Sequence, residues 1–380
     1  MRTLAIGDLA FCIAMCIATD DYKSMKQITY NDGVIMPSAK QQKFINDKLT
    51  NIAQAFLDGL DSEGVNWSLP YVQSGMPRKL HNGQNYEGVN VWALWHSKAR
   101  NNFQSNVWGT WNRITKELGG RIHEDQAKNF TYVVGWKPST TKDVYKRGSR
   151  KGQEYDKSIV FITFSKVYNL DQTNLDEKKL DLPDQVVNIS SVDDYISNTK
   201  ANIKYGNGDD KKYSVDKDMN YYCPNLDYIQ MVAKEKFLPT EDATATENYY
   251  ATLLHELSHW TGHEDRLNRN FSKYWEDDHK TRYAFEELVA ELSSTLLSCH
   301  LGITAVPRKS SAQYINCWKQ QVADNPRLFV DVCQKANKVV RFLDMFQTME
   351  YVYPEKVWDG SKQQWIAKDG AKPEWVKKVA

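Results

Sequence analysis

His255-Glu256-Leu257-Ser258-His259 decides how this chain is read. On a helix, residues four apart share a face, so both imidazoles reach one ion at about 2.0–2.1 Å. The glutamate beside the first histidine then lies against a water held there. It can take that water's proton during attack on a carbonyl and pass it to the leaving amine. The flanks predict the helix: Thr244 and Glu247 have capping-box spacing, and Gly262 marks the stop. Tyr250, Leu253, Leu254, Leu257 and Thr261 form an apolar stripe, and His255 and His259 point away from it with Glu256 on its flank. A histidine pair serving only as core would lie on the stripe.

A catalytic zinc takes three protein ligands and keeps a fourth position open. One candidate is Glu287, in Glu287-Leu288-Val289-Ala290-Glu291. Phe285, Leu288, Val289, Leu292 and Leu296 make the apolar stripe of a second helix, so Glu287 and Glu291 share the opposite face. That pairing predicts Glu287 as ligand and Glu291 as the carboxylate that orients a ligand histidine. The alternative ligand is Asp265, just past the Gly262 turn. Glu287 is preferred because its helical placement supports it independently. His263 and His300 read as surface or structural positions.

Outward from the motif, the 380 residues allow two or three domains. The 41% hydrophobic and 26% charged composition excludes wholesale disorder, and no apolar run has the roughly 18–20 residues of a membrane span. The net charge of +1 hides an asymmetry, since Lys40–Lys166 holds 19 Lys/Arg against 11 Asp/Glu. A basic front on an acidic back fits two jobs, one of them on nucleic acid. The six cysteines have neither zinc-ribbon nor disulfide-ladder spacing and read as reduced thiols of a cytoplasmic protein. Leu9–Ala18 is a short apolar run with a thin basic flank, read as a packed helix or as lying upstream of a start at Met25, without secretion.

The expected fold class is α+β. Residues 1–39 read as an extension. Residues 40–172 are expected to be an α+β unit: an amphipathic helix over 40–60 stopped by Gly59, a Trp-rich segment over Asn90–Arg100, a helix over Trp108–Leu118, and strands at Phe130–Trp136 and Ile159–Val167. The intervening loop, about 138–157, carries Lys142, Lys146, Arg147, Arg150 and Lys151. Residues 173–218 read as a linker, 219–350 as the mainly helical unit with a small sheet, and 351–380 as a tail. Helices are expected near 245–261, 281–301, 311–324 and 327–349, and Tyr228–Val232 is expected to be a strand offering an edge to a substrate.

Trp92, Trp95, Trp108 and Trp111 alternate with Lys98, Arg100, Arg113, Lys116 and Arg121, with Arg78 upstream. Rings for base stacking beside cations for phosphates suit a single strand bound without sequence preference.

His255–Arg269 (HELSHWTGHEDRLNR), Phe285–Leu292 (FEELVAEL), Tyr222, Pro224, Asp227 and Ile229 resemble the zincin-like metallopeptidase domain of ArdC-type antirestriction proteins of plasmids, phages and other mobile elements. Tyr314, Trp318, Ala336 and Leu343 extend the likeness downstream. Trp67, Pro77-Arg78, Leu80, Gly83, Tyr86, Gly88, Trp95, Trp108, Gly119-Gly120-Arg121, Val133-Val134 and Asn169–Gln172 resemble that family's single-stranded-DNA-binding domain. One departure is Glu124-Asp125-Gln126-Ala127, where relatives carry a basic segment; the expectation is either weaker phosphate binding or its relocation to Lys142–Lys151. The resemblance implies a zinc-dependent metalloendopeptidase, with Mn²⁺ as the alternative metal, that binds single-stranded DNA, acts on an unidentified protein and protects incoming DNA in the host cytoplasm. Two other functions stay open: a non-catalytic single-strand binder with a structural or vestigial metal site, and a DNA-tethered protease acting on DNA-bound proteins.

Overall fold

The structure, a computed structural model, describes residues 39–63, 75–145, 147–180, 182, 192–205, 219–240, 243–269, 278–303, 312–353, 355–359, 364–368 and 373–377. The Leu9–Ala18 run and Trp67 lie outside these residues.

Helix α1 (Ala39–Glu63) buries Ile45, Leu49, Ile52, Phe56 and Leu57, as its spacing requires. It continues through Gly59, which was expected to stop it. A helical glycine costs about 1 kcal/mol, and the packing of this helix outweighs that. Strand β1 (Arg78–Lys79), helix α2 (Val89–Asn101), strand β2 (Val107–Thr110) and the hairpin β3 (Thr131–Val144)–β4 (Glu154–Asn169) follow. The sheet order is β1-β2-β4-β3, with β1 parallel to β2 and the other pairs antiparallel.

Two local expectations are corrected here. Trp108 lies on β2 opposite Asn169, not on a helix. Gly109 lets β2 approach Leu80, where a Cβ would sit 2.5 Å from Leu80 Cδ2. Only a π-helical turn, Arg113–Glu117, remains of the helix expected over Trp108–Leu118. The basic loop is shorter than expected, because β3 and β4 stay paired out to Val144 and Glu154. Lys142 is therefore a strand residue, 2.8 Å from Asp156.

In the second half, α3 (Val192–Asn198) and β5 (Ile203–Tyr205) lie within the span read as a linker, and β5 pairs in parallel with β7 (Tyr228–Met231). Strand β6 (Tyr221–Cys223) pairs antiparallel on the other side of β7. The order β5-β7-β6 makes β7 central and wholly buried, so the edge expected at Tyr228–Val232 belongs to its neighbours instead. Helices α4 (Ala245–Trp260), α5 (His279–Leu301), α6 (Ala312–Asp324) and α7 (Pro326–Thr348) follow at the expected places, α7 with proline in its first turn. Residues 351–380 are not a plain tail. Strand β8 (Met349–Val352) pairs with β11 (Glu374–Lys377), and β9 (Lys356–Asp359) pairs with β10 (Gln364–Ala367).

The two halves share one apolar core. Phe56 of α1 stacks on Phe329 of α7 at 4.2 Å, Lys319 of α6 pairs with Asp61, and Arg327 donates to Asn46.

Candidate metal centre

Helix α4 starts at a complete capping box. The Glu247 N–H donates to Thr244 Oγ1 at 3.2 Å, and the Thr244 N–H donates to Glu247 Oε2 at 3.0 Å. One face of α4 carries Leu253, Leu254 and Leu257 into the core. On another face lie His255, fully buried, and His259, partly buried. Packing of α5 against α4 encloses them, so these polar side chains are buried without belonging to the apolar stripe.

The imidazoles stand 79° apart in plane with Nε2 atoms at 3.2 Å. Glu287 of α5 faces both, Oε2 at 3.4 Å from His255 Nε2 and Oε1 at 3.4 Å from His259 Nε2. Four donors placed tetrahedrally at about 2.0–2.1 Å from an ion lie about 3.3–3.4 Å from one another. The two histidine nitrogens have about that spacing, and Glu287 brings one oxygen to each of them, so the three groups can close on a divalent ion with one position left open. One donor atom from each lies within 4.8 Å of the others, and they are the one group of three or more metal-competent side chains found among the described residues. Asp265 is outside it, with its Oδ2 3.8 Å from His263 Nδ1. Glu256 is buried yet lines the same cleft, of about 600 Å³, together with Tyr222, His263, Arg282 and Tyr283. His263, read as a surface or structural position, is one of the cleft residues.

A carboxylate that the sequence reading did not name, Glu286, lies beside a ligand histidine. Glu286 Oε1 lies 3.2 Å from His259 Nδ1, and Arg269 donates through Nε to Glu286 Oε2 at 2.8 Å. Glu291 is buried but lies outside the cleft lining. A stripe count alone could not separate them, because Glu286 lies beside Phe285 on the flank. The signal that could have found it is charge pairing: Arg269 is a buried cation and needs a carboxylate. Burial disfavours an ionised Glu286, yet Arg269 and His259 hold its carboxyl at about 2. Burial likewise opposes charge on His259, but Glu286 and Glu287 raise it to about 9. The Glu287 carboxylate, which favours a proton on His259, would favour a divalent cation at the same place.

Behind the cleft, Arg266 pairs with Asp227, donates to Tyr222 Oη at 3.2 Å and stacks over Trp260 at 4.0 Å. This ties the β6–β7 turn to the end of α4.

In the N-terminal half, Trp92, Trp95 and Trp108 are core residues at 4%, 1% and 1% exposure, so they are corrected as base-stacking residues. Trp95 Nε1 donates to the Gly75 carbonyl at 2.7 Å. Lys98 is held by Asn106 and Arg78 by the Gly83 carbonyl. Trp111 is 48% exposed, with the Lys116 ammonium 5.7 Å from its ring and Arg113 two residues on, paired with Glu117. Arg100 and Arg121 are exposed. Burial first, and then the charges of Lys79 and Arg113, lower the proton affinity of His81.

Two helices and a small sheet around a metal-competent triad are the features of a zincin-like fold, and residues 190–335 match the zincin-like metallopeptidase family. Residues 46–168 match the N-terminal domain of the anti-restriction factor ArdC. The chain carries the two domains in this order, the arrangement of an ArdC-type antirestriction protein. It is similar to the crystal structure of the antirestriction ArdC protein from the R388 plasmid in its metal-free form, at 29% identity and TM-score 0.61, over 78% of this chain and 97% of that one. The Mn(II)-bound structure gives 26% identity and TM-score 0.56 over the same shares. Among curated sequences it is 22% identical to the uncharacterized protein y4eC of Sinorhizobium fredii (strain NBRC 101917 / NGR234), over 80% of this chain and 93% of that protein. It is 26% identical over 78% of its length to DNA primase TraC of Escherichia coli, of which that region is 20%. No described helix is long and apolar enough to cross a membrane.

Proposed function

We propose that this protein is an antirestriction factor that binds single-stranded DNA and hydrolyses a peptide bond at a zinc site, with Mn²⁺ as the alternative ion. The observation that carries the hydrolytic part is the His255–His259–Glu287 cluster with Glu256 in the same cleft. These three residues would hold the ion, which when bound polarises a water and the scissile carbonyl. Glu256 takes the proton from that water and returns it to the leaving amine. Glu286 fixes the orientation of His259 from its Nδ1 side and is itself fixed by Arg269. Strand β6 borders the cleft through Tyr221 and Tyr222 and is an edge strand, which suits an extended substrate pairing along it.

The nucleic-acid part rests on the surface of Trp111, Arg113 and Lys116, with Arg121 and Arg100 as further cations. A strand engaged there would keep the peptidase cleft near proteins that act on incoming DNA, in the host cytoplasm.

The test is transformation of unmodified DNA into a restricting host that expresses wild type or Glu256→Gln. Protection by wild type and none by the variant, at equal expression, supports the proposal. Equal protection by both removes hydrolysis and leaves a DNA-binding protein with a non-catalytic metal site. No protection by wild type removes antirestriction.

A further inference from the structure

A second cavity, of about 450 Å³, opens in the N-terminal half between α1, α2 and the segment that enters β3. It is remote in sequence from the metal cleft, and none of its residues is needed there. Its size falls in the range that holds a small organic molecule, about 300–1,000 Å³. Three chemistries meet in it.

The first is aromatic. Phe130 and Tyr132 line the cavity edge-to-face, with centroids 5.2 Å apart at 81°. The second is cationic. The Lys48 ammonium lies 4.1 Å from the Tyr132 centroid, and Arg100 lines the wall from the last turn of α2. Asp58 is the one carboxylate in the lining, so the cavity favours an anion over a metal ion. The third is a set of amide and hydroxyl groups held in place by one another. Asn129 Nδ2 donates to Asn101 Oδ1 at 2.9 Å, Asn101 Nδ2 donates to the Ser97 carbonyl at 2.8 Å, and Thr131 Oγ1 donates to Ser97 Oγ at 2.7 Å. His96 adds an imidazole whose proton affinity is lowered by burial, so it serves as a neutral donor and acceptor.

Rings, cations and oriented amides in one concave site match the face, phosphate and edge of a nucleotide. We propose that this cavity takes one unstacked nucleotide of a single DNA strand, its base against Tyr132 and Phe130 and its phosphate toward Lys48 and Arg100. The proposal rests on the reading that the N-terminal half binds single strands, and it adds a concave base site to a surface otherwise made of the Trp111 ring and scattered cations. Duplex DNA cannot enter, because its bases stay stacked and paired.

The experiment is fluorescence anisotropy on the full-length protein with a labelled oligothymidylate of about 16 nucleotides, and with an abasic strand of equal length. Wild type is expected to bind the abasic strand about 100-fold more weakly, about 10-fold for the base in this cavity and about 10-fold for the base on Trp111. Tyr132→Ala is expected to lose about 10-fold of that preference, the share that Trp111 does not supply, while binding the abasic strand as wild type does, and Tyr132→Phe to keep all of it. Arg100→Ala is expected to weaken both strands and lower the salt slope by about 1. Tyr132→Ala and Arg100→Ala binding both strands as wild type does would overturn the site while leaving single-strand binding intact. Absence of binding by wild type would overturn single-strand binding itself. Thymidine monophosphate binding as tightly as the oligonucleotide would assign the cavity to a free nucleotide and overturn the strand proposal. Photocrosslinking of wild type to a 5-iododeoxyuridine strand needs no variant. An adduct on Phe130 or Tyr132 supports the site, and adducts confined to other residues refute it.

Discussion

Gly262→Ala tests how the chain behind the metal centre holds His259. The substitution adds one methyl group, whose carbon would sit 2.9 Å from Arg269 Nη2 and 3.0 Å from the His259 carbonyl oxygen. The backbone has little room to yield, because the Gly262 N–H donates to the His259 carbonyl at 2.8 Å and the Arg269 N–H to the Gly262 carbonyl at 2.9 Å. The guanidinium must move instead, and it is 3% exposed with four hydrogen bonds, to both Glu286 oxygens, Thr261 Oγ1 and the Ser258 carbonyl. Removing one partner of a buried ion pair costs about 3–5 kcal/mol, and displacing it without removal about half of that. Glu286 then loses its anchor, and His259 its orientation. Loss of a partner that orients a ligand weakens metal binding by about 10–100-fold. Chelator-competition titration with Zn²⁺ reads the affinity, and thermal unfolding with and without metal reads the stability. Wild-type metal affinity in Gly262→Ala would refute the chain of contacts from Gly262 through Arg269 and Glu286 to His259.

Three other outcomes are expected. His255→Ala and Glu287→Ala lose stoichiometric metal by elemental analysis, while Asp265→Ala retains it; full retention in Glu287→Ala would break the proposed triad. Trp108→Ala loses about 3–5 kcal/mol in urea unfolding, whereas exposed Trp111→Ala leaves stability within about 0.5 kcal/mol and weakens single-strand binding about 10-fold by anisotropy. Asp227 is held below its ordinary 3.8 because the Arg266 and Tyr222 hydrogen bonds outweigh its burial, so the unfolded chain takes up its proton first. The stability it contributes is complete above 3.8 and lost as pH falls through the folded value, and Asp227→Asn is expected to flatten that acid limb in urea midpoints measured against pH.

Local patterns made several of these features legible. The capping box at Thr244, the 3.6-residue stripe of α4 and the four-residue spacing of His255 and His259 are properties of a single helix, and they appear in the structure as read. The stripe of α5 put Glu287 on the face that meets the histidines. Glu286 was not legible, because which of two adjacent carboxylates meets His259 depends on the rotation of α5 against α4 and on a cation, Arg269, delivered by a loop. The tryptophans were misjudged for a similar reason. Trp92 and Trp95 lie on one helix and Trp108 on a strand, and only the packing of α1, α2 and the sheet makes them core. The strand β5 was missed because three residues carry too little periodicity to be told from a polar connection.

By itself the sequence determined the chemistry on offer: two imidazoles one turn apart with a glutamate between them, a carboxylate pair on a second helix, and a basic N-terminal half. Tertiary structure decided which of these groups meet. It brought Glu287 to within 3.4 Å of both histidines, turned Asp265 toward His263, buried three tryptophans and left Trp111 exposed. Spacing along one helix is set by bonded geometry, whereas the meeting of two helices is set by how their side chains fill the space between them.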